Sequence, residues 1–308
     1  MSSSIKKFTT KNGQVVSNIA KVFIATDIGQ KIPTVSEFQE KIDVSRGTIQ
    51  NSIKELTKSG AVTLEARGAL GTFLKEKDLK ILLDLAQITF LIGAMPLPYS
   101  PIYEGLATGI LQSMENKLNI PVNMAYMRGA QKRIEMITNN RYDFAIVSKH
   151  AALEHLKTND NIQIIQEFGE RSFLNDHVLM FSDKEKHQLE NNMKIGVDYD
   201  SIDQLSLTKD VTKSYDMTFV PVQYNQLIEK LHSKEIDVTI WNGDEIDARI
   251  HNIRIMPLPL DSINNTVAVI IINKERHELK KIIGSMINID DVLTIQRKVI
   301  DGKLLPSY

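Results

Sequence analysis

Apolar residues return at helical spacing at Val15, Ile19, Val22 and Phe23, which predicts a first amphipathic helix over residues 14–26. The stretch DIGQ ends it. Thr34 and Glu37, three apart, form a capping box for a second helix over 35–42, with Phe38 buried and Ile42 at its margin. Asp43 and Val44 make a turn, Val44 plugging the space between helices. Ser45 caps a third helix whose buried face is Ile49, Ile53 and Leu56, at i, i+4 and i+7. Ser59-Gly60 stops it. VTLEARGALGTFL then alternates apolar and polar residues on both sides of a glycine-bearing turn, the pattern of a β-hairpin.

Helix, tight turn, helix and hairpin in that order describe a winged helix-turn-helix, a device that reads DNA. The third helix turns Arg46, Gly47, Gln50, Asn51 and Lys54 away from its apolar face. Arginine can read guanine in a major groove, glutamine or asparagine can read adenine, and lysine takes phosphate. Such a face on a lone helix is an ordinary solvated surface. A hairpin that follows at once and carries Arg67, Gly68, Gly71 and Thr72 at its turn suits a minor-groove or phosphate contact and favours DNA.

Residues 77–87, with Leu79, Leu82, Leu83 and Leu85, read as a linker helix, packed on the body or pairing with its mate in a dimer. From Ile88 the period changes. ITFLIGAM is a buried strand, a proline-rich loop leads to a long amphipathic helix, and IPVNMAYMR, residues 129–139 and YDFAIVS follow as strand, helix and strand. This rhythm predicts a parallel α/β sheet. Residues 161–168 and 177–181 read as strands crossing between lobes. A second unit follows, with strands at 194–197, FVPVQY and EIDVTIWN and helices at 203–209 and 225–232. RYDFAIVS and EIDVTIWN are alike, and are expected at equivalent positions of two similar lobes. Residues 265–272 form a strand returning to the first lobe, before a helical tail.

Composition changes this picture in two ways. The chain has no cysteine, so disulfides, thiol nucleophiles and thiolate metal sites are excluded. The net charge of −1 conceals an asymmetry: residues 1–80 hold 13 Lys and Arg against 8 Asp and Glu, the remainder 24 against 30. A basic head on an acidic body fits a protein that touches phosphates with one end. No apolar run approaches the roughly 20 residues that span a bilayer, and MSSSIKKF lacks a signal-peptide core, so a cytoplasmic protein without a membrane partner is expected.

The segment IPTVSEFQ, VSRGTIQNSI, SGAV and GALGTFL resembles, in order and spacing, the winged-helix domain of GntR-type bacterial transcription regulators. The resemblance implies a phosphate-binding hydroxyl at Thr34, a base-reading arginine at Arg46, a phosphate contact at Thr48 and a wing-tip glycine at Gly71. The family's arginine in the second helix is Ser36 here, and its second recognition-helix arginine is Gln50. The two lobes resemble the type-II periplasmic binding protein fold. The whole arrangement, with LIGAMPLPYSPIYEGLATGI and QRKVIDGKLLPSY, is similar to the YhfZ-type branch of GntR-related regulators.

The expected plan is therefore a winged helix-turn-helix over 1–76, a linker helix over 77–87 and a two-lobed α/β effector-binding domain over 88–308. Its first lobe takes about 88–170 and 266–308, its second about 172–265. DNA contacts are expected from Thr34, Ser45, Arg46, Thr48, Gln50, Asn51, Lys54, Arg67, Gly71 and Thr72. Strand ends supply ligand candidates: Pro98, Tyr99, Ser100, Ser148, Lys149, Trp241, Asn242 and Asp244. Each has a plainer reading, as a stiffened loop, a surface lysine or a core tryptophan. Asp244 opposite hydroxyls or cations would suit a carboxylate or an amino acid derivative. The partners expected are an operator duplex, a small effector and a second copy of the chain. No nucleophile elbow, P-loop or GxGxxG is present. His150 and His155 lie i, i+5 apart and do not share a helical face, so neither a metal, a cofactor nor a catalytic residue is expected. The rival reading is a two-lobed α/β enzyme or solute-binding protein with an accessory helix-turn-helix.

Overall fold

In the computed structural model the described residues are 11–118, 120–246, 251–259 and 263–308. They form two compact units. One comprises Met1–Leu91, Met114–Asn123 and Lys274–Met286, the other Ile92–Ser113, Met124–Asn273 and Ile287–Tyr308. Among the described residues no helix is long and apolar enough to cross a membrane.

The first unit is built on α1 (Lys11–Ala25), which buries Val15, Ile19 and Phe23. Next come α2 (Val35–Ile42) and α3 (Arg46–Lys58), then β1 (Val62–Ala66) paired antiparallel with β2 (Thr72–Lys77). The caps act as their residue types dictate. Glu37 N donates to Thr34 Oγ1 at 3.3 Å while Thr34 N donates to Glu37 Oε2 at 2.6 Å, closing the capping box. Asp43 ends α2 in the left-handed region at φ 53°, which short polar residues tolerate. Ser45 Oγ accepts from Thr48 N at 3.3 Å to start α3.

Two features escape periodicity. The loop after α1 pairs with β2 through an isolated bridge between Lys31 and Phe73: Gly29 N donates to Leu74 O at 2.7 Å, Leu74 N to Gln30 O at 2.9 Å and Ile32 N to Thr72 O at 2.9 Å. The half-buried ammonium of Lys77 caps the end of α1, donating to Ile24 O at 2.8 Å and Thr26 O at 2.6 Å, where a cation meets the negative end of the helix dipole. The leucine-rich helix α4 (Leu79–Leu85) is capped by Asp78 and packs on α1 of this same unit, with Leu82 and Leu83 buried. A helix from far along the chain, His277–Met286, also packs on α1, and Lys281 pairs with Asp27 at 2.7 Å.

The second unit holds two five-stranded sheets. The first has the order β4-β3-β5-β12-β6, from β3 (Leu91–Met95), β4 (Val122–Tyr126), β5 (Phe144–Ser148), β6 (Ile162–Glu167) and β12 (Ala268–Asn273). The second, read from the corresponding edge, is β9-β8-β10-β7-β11, from β7 (His177–Phe181), β8 (Lys194–Val197), β9 (Thr218–Pro221), β10 (Val238–Asn242) and β11 (Arg254–Pro257). β5 and β10 thus hold equivalent places, as the likeness of their sequences predicts. The equivalence extends to one contact. Asp143 before β5 accepts from Ile92 N at 2.9 Å, and Asp237 before β10 accepts from Lys194 N at 2.7 Å, each clamping the neighbouring strand.

The sheets are mixed, not parallel throughout. β12 is antiparallel to β5 and β6, and β7 to β10 and β11. Each is the strand that the chain forms on arriving from the other lobe, so it enters its sheet against the direction of the βα units. β6 and β7 do not themselves cross between lobes; the stretch between them does. The short edge strand β11 carries no periodic signal and was not anticipated.

The helices of the lobes are α5 (Pro101–Leu118), α6 (Ala130–Thr138), α7 (Lys149–Leu156), α8 (Ile202–Val211), α9 (Leu227–His232), the short α10 (Ile263–Thr266) and α12 (Ile289–Ile300), while α11 (His277–Met286), described above, belongs to the first unit. The sequence suggests that α5 is amphipathic, yet it is enclosed on almost every side from Ile102 to Met114. Gly105 and Gly109 explain how. A Cβ at either would lie 2.8 Å from Gln296 O or 2.7 Å from Val292 O, so two glycines four apart let the backbones of α5 and α12 touch.

Candidate nucleic-acid interface and interlobe cleft

On the head, Arg46, Gln50, Asn51 and Lys54 all lie exposed on α3, and none hydrogen-bonds or ion-pairs with another described residue. Ser45 and Thr48 share a hydroxyl contact of 2.9 Å at the helix start, and Thr34 caps α2. The wing is more constrained. Arg67 donates to Glu65 Oε2 at 2.8 Å and lies 4.4 Å from the centre of the Phe73 ring, so its guanidinium is held along the hairpin. Gly71 has φ 101°, and a Cβ there would lie 2.6 Å from the Lys31 side chain; Thr72 follows at the start of β2.

In the second unit a cleft between the two lobes holds a partly open cavity of about 110 Å³. Of the eight residues expected at strand ends, Tyr99, Trp241 and Asn242 line it; Pro98, Ser100, Ser148, Lys149 and Asp244 do not. Ser100 is buried, and its Oγ accepts from Tyr103 N at 3.4 Å as a cap. Lys149 faces away to an ion pair with Glu167 at 2.7 Å. Asp244 accepts from Asn175 N and Nδ2, both at 2.7 Å. Trp241 is 4 % exposed and stacked flat on Tyr224 with ring centres 4.1 Å apart, and Asn242 Nδ2 donates to Glu245 Oε1 at 3.1 Å.

Ser148 has a different role from the one expected. It caps α7, accepting from Ala151 N at 2.9 Å, and donates across the cleft to both carboxylate oxygens of Asp203, at 2.7 and 2.8 Å. Asn265 Nδ2 reaches the same carboxylate at 2.6 Å. A second latch joins Arg128 of the first lobe to Asp198 at 3.3 Å and Asp200 at 3.4 Å, and Lys132 to Asp200 at 2.8 Å. The Lys132 hydrogen bond holds the Asp200 carboxyl below its usual range.

Several lining residues were not foreseen, among them Tyr103, Arg133, His177, Asp203, Tyr224 and Glu245. Arg133 had a signal. It falls on the face of α6 that buries Ala130, Ile134 and Ile137, where a charge has no place unless it does something. Its Nε donates to Ile146 O at 3.0 Å and its Nη1 to Met127 O at 2.9 Å. Burial pushes its guanidinium down to about 10, which still leaves it charged at neutral pH. Burial also raises the Tyr103 and Tyr224 hydroxyls well above the usual range, so both remain protonated.

His177, 9 % exposed, is held neutral because burial lowers its imidazole, with nearby acids such as Asp203 opposing only in part. As pH falls below about 6.5, the unfolded chain takes up a proton that the folded imidazole refuses, so stability is full above that pH and declines beneath it. Thermal melting from pH 7.5 to 5 should therefore show a loss that His177→Gln reduces; equal slopes in both proteins would remove His177 as a cause. Among the described residues no group of three or more His, Asp or Glu is placed to hold a metal ion.

Two family models match the chain: the YhfZ C-terminal domain over residues 78–308 and a helix-turn-helix domain over residues 27–74. Protein YhfZ of Escherichia coli (strain K12) is 30% identical over 306 residues, covering 98% of this chain and 99% of its own length. The crystal structure of YhfZ from Shigella flexneri superposes with a TM-score of 0.63 at 30% identity, over 74% of this chain and 97% of that one. An ancestral arginine-binding protein bound to arginine shares the two-lobed fold at a TM-score of 0.50 and 14% identity, over 70% of this chain and 98% of its own. A helix-turn-helix head on a body folded like a periplasmic binding protein, related over nearly its whole length to YhfZ, makes this chain a member of the YhfZ family.

Proposed function

We infer that the protein is a cytoplasmic, DNA-binding transcriptional regulator of GntR type, acting as a homodimer, whose operator binding answers to a small metabolite in the interlobe cleft. Residues 1–76 are the DNA-binding part, 77–87 connect, and 88–308 bind the effector. One observation carries the reading: four side chains suited to base edges and phosphates, Arg46, Gln50, Asn51 and Lys54, stand exposed and unengaged on a doubly capped helix beside a wing. The wing beside it, with Arg67, Gly71 and Thr72 at its turn, is what separates this face from an ordinary solvated helix surface.

In this reading Arg46 reads guanine, Gln50 and Asn51 face neighbouring bases, and Thr34, Ser45, Thr48, Lys54, Arg67, Gly71 and Thr72 position the phosphates. Two heads on an inverted repeat follow from the two-fold symmetry of a dimer. The effector acts through its differential affinity for two states of the body, since a ligand that binds both equally shifts nothing. The helix-turn-helix and the binding-protein fold favour a non-enzyme.

Genomic footprinting of the purified protein tests the core of this reading by returning an operator with two-fold symmetry; a protein that enriches no site would end it. On that operator Arg46→Ala should cost about 1–3 kcal/mol and relax preference at one base pair. Gel-shift titration against all four bases at each position measures both, and unchanged affinity would place Arg46 outside the interface.

A further inference from the structure

The polar groups of the cleft divide into those already engaged and those left over. The acids are engaged. Asp198 accepts from Asp200 N at 3.0 Å and Tyr224 N at 2.9 Å and pairs with Arg128. Asp203 accepts from Ser148 and Asn265, and Glu245 accepts from Asn242. What remains is on the donor side. Arg133, 4 % exposed, gives two of the five N–H bonds of a guanidinium to backbone carbonyls and keeps the rest. Trp241 Nε1 and His177 Nδ1 are buried without a partner. The residues around the start of α6, Gly129 and Ala130, line the same cavity, and that helix has no side-chain cap.

We propose that the cleft binds a small monocarboxylate lacking an ammonium group, with its carboxylate on Arg133 and the uncapped start of α6. This rests on the cleft being the ligand site, as given above. The guanidinium, itself buried, supplies charge-assisted hydrogen bonds that gain strength out of water. Trp241 and His177 line the same cavity beside it. An α-ammonium would have to compete for carboxylates that already hold donors, so amino acids are disfavoured. A phosphate dianion would meet three lining acids, Asp198, Asp203 and Glu245, with only Arg128 and Arg133 against them. A cavity of about 110 Å³ accommodates a small ligand.

The chain has one tryptophan, and it lines the cleft, so its emission reports this site alone. Full-length protein is titrated with 2-oxobutanoate and its two- and three-carbon-longer homologues, L-2-aminobutanoate, 2-oxobutanamide and inorganic phosphate, followed by Trp241 fluorescence and by calorimetry. A 2-oxo acid of the set should saturate both signals. The amide and the amino acid should bind at least about tenfold more weakly, the loss expected when hydrogen bonds to a charged group go. Arg133→Gln should abolish the preference for acid over amide, and Arg133→Lys should keep part of it. If the variants do not fold, the comparison of acid with amide on the unaltered protein decides. Equal or tighter binding of the amide, the amino acid or phosphate overturns the proposal, as does silence from every carboxylate. Fluorescence changes with the amino acid alone would discard the ligand class and keep the cleft; heat without any change at Trp241 would discard the cleft itself.

Discussion

Replacing Phe38 with alanine is expected to unfold or loosen the DNA-binding head while leaving the body folded. Phe38 is the one fully buried side chain of α2, an eight-residue helix too short to hold itself together. α2 packs on α1 and α3, and those contacts set where α3 presents its outer face. Truncating a buried phenylalanine costs about 3–5 kcal/mol, from lost transfer energy and the cavity left behind. That is a large share of the roughly 5–15 kcal/mol that stabilises an ordinary domain. Trp241 lies in the second unit, so two probes separate the outcomes. Far-UV circular dichroism should show an early, lowered transition for the head, while the Trp241 fluorescence melt stays where it is in the parent protein. Under the function proposed above, operator binding should fall even below the melting point, because α2 no longer buttresses α3. A single unshifted transition by both probes would mean that the head does not depend on Phe38.

The same contrast explains what the sequence could disclose. The head was legible nearly to the residue: the bounds of α2 follow from Thr34, Glu37 and Asp43, and the start of α3 from Ser45, because caps and helical periods are written within a few neighbouring positions. The doubling of the body was legible through a pair of like phrases, which prove to be β5 and β10 with their clamping Asp143 and Asp237. Long-range features were not. The bridge that the loop at Gly29–Ile32 makes to the wing is paired through backbone groups with no side-chain pattern. The antiparallel entry of β7 and β12 depends on which lobe the chain has come from, which no local window records. The cleft was the least legible part. Its lining is gathered from Tyr103 on α5, Arg133 on α6, His177 on β7, Asp203 on α8 and Tyr224 before α9, none within a motif. Placing strand ends found Tyr99, Trp241 and Asn242, but Lys149 and Asp244 turned to Glu167 and Asn175 instead.

Asp203→Ala is expected to weaken the body markedly. Two buried groups, Ser148 Oγ from the first lobe and Asn265 Nδ2 from the returning segment, give their hydrogen bonds to this carboxylate. Leaving two buried donors unmet costs roughly 1–3 kcal/mol each. The total should fall in the lower half of that sum, since Asp203 is half-buried and water can enter beside it. The carboxylate is also a negative charge near the buried Arg133 guanidinium, and its removal leaves that cation less compensated. Asp203→Asn is the informative control. It keeps the shape and one acceptor but drops the charge, so it should recover part of the stability lost in the alanine variant. The functional consequence runs in the same direction. Ser148 and Asp203 tie one lobe to the other, and under the function proposed above the loss of this tie should raise the ligand concentration that the cleft needs. Thermal melting of the parent, D203A and D203N, each with and without a saturating cleft ligand, separates the two effects. Identical melting of all three proteins would show that the latch contributes nothing. A ligand-induced shift that is unchanged in D203A would show that it stabilises the lobes without biasing their closure.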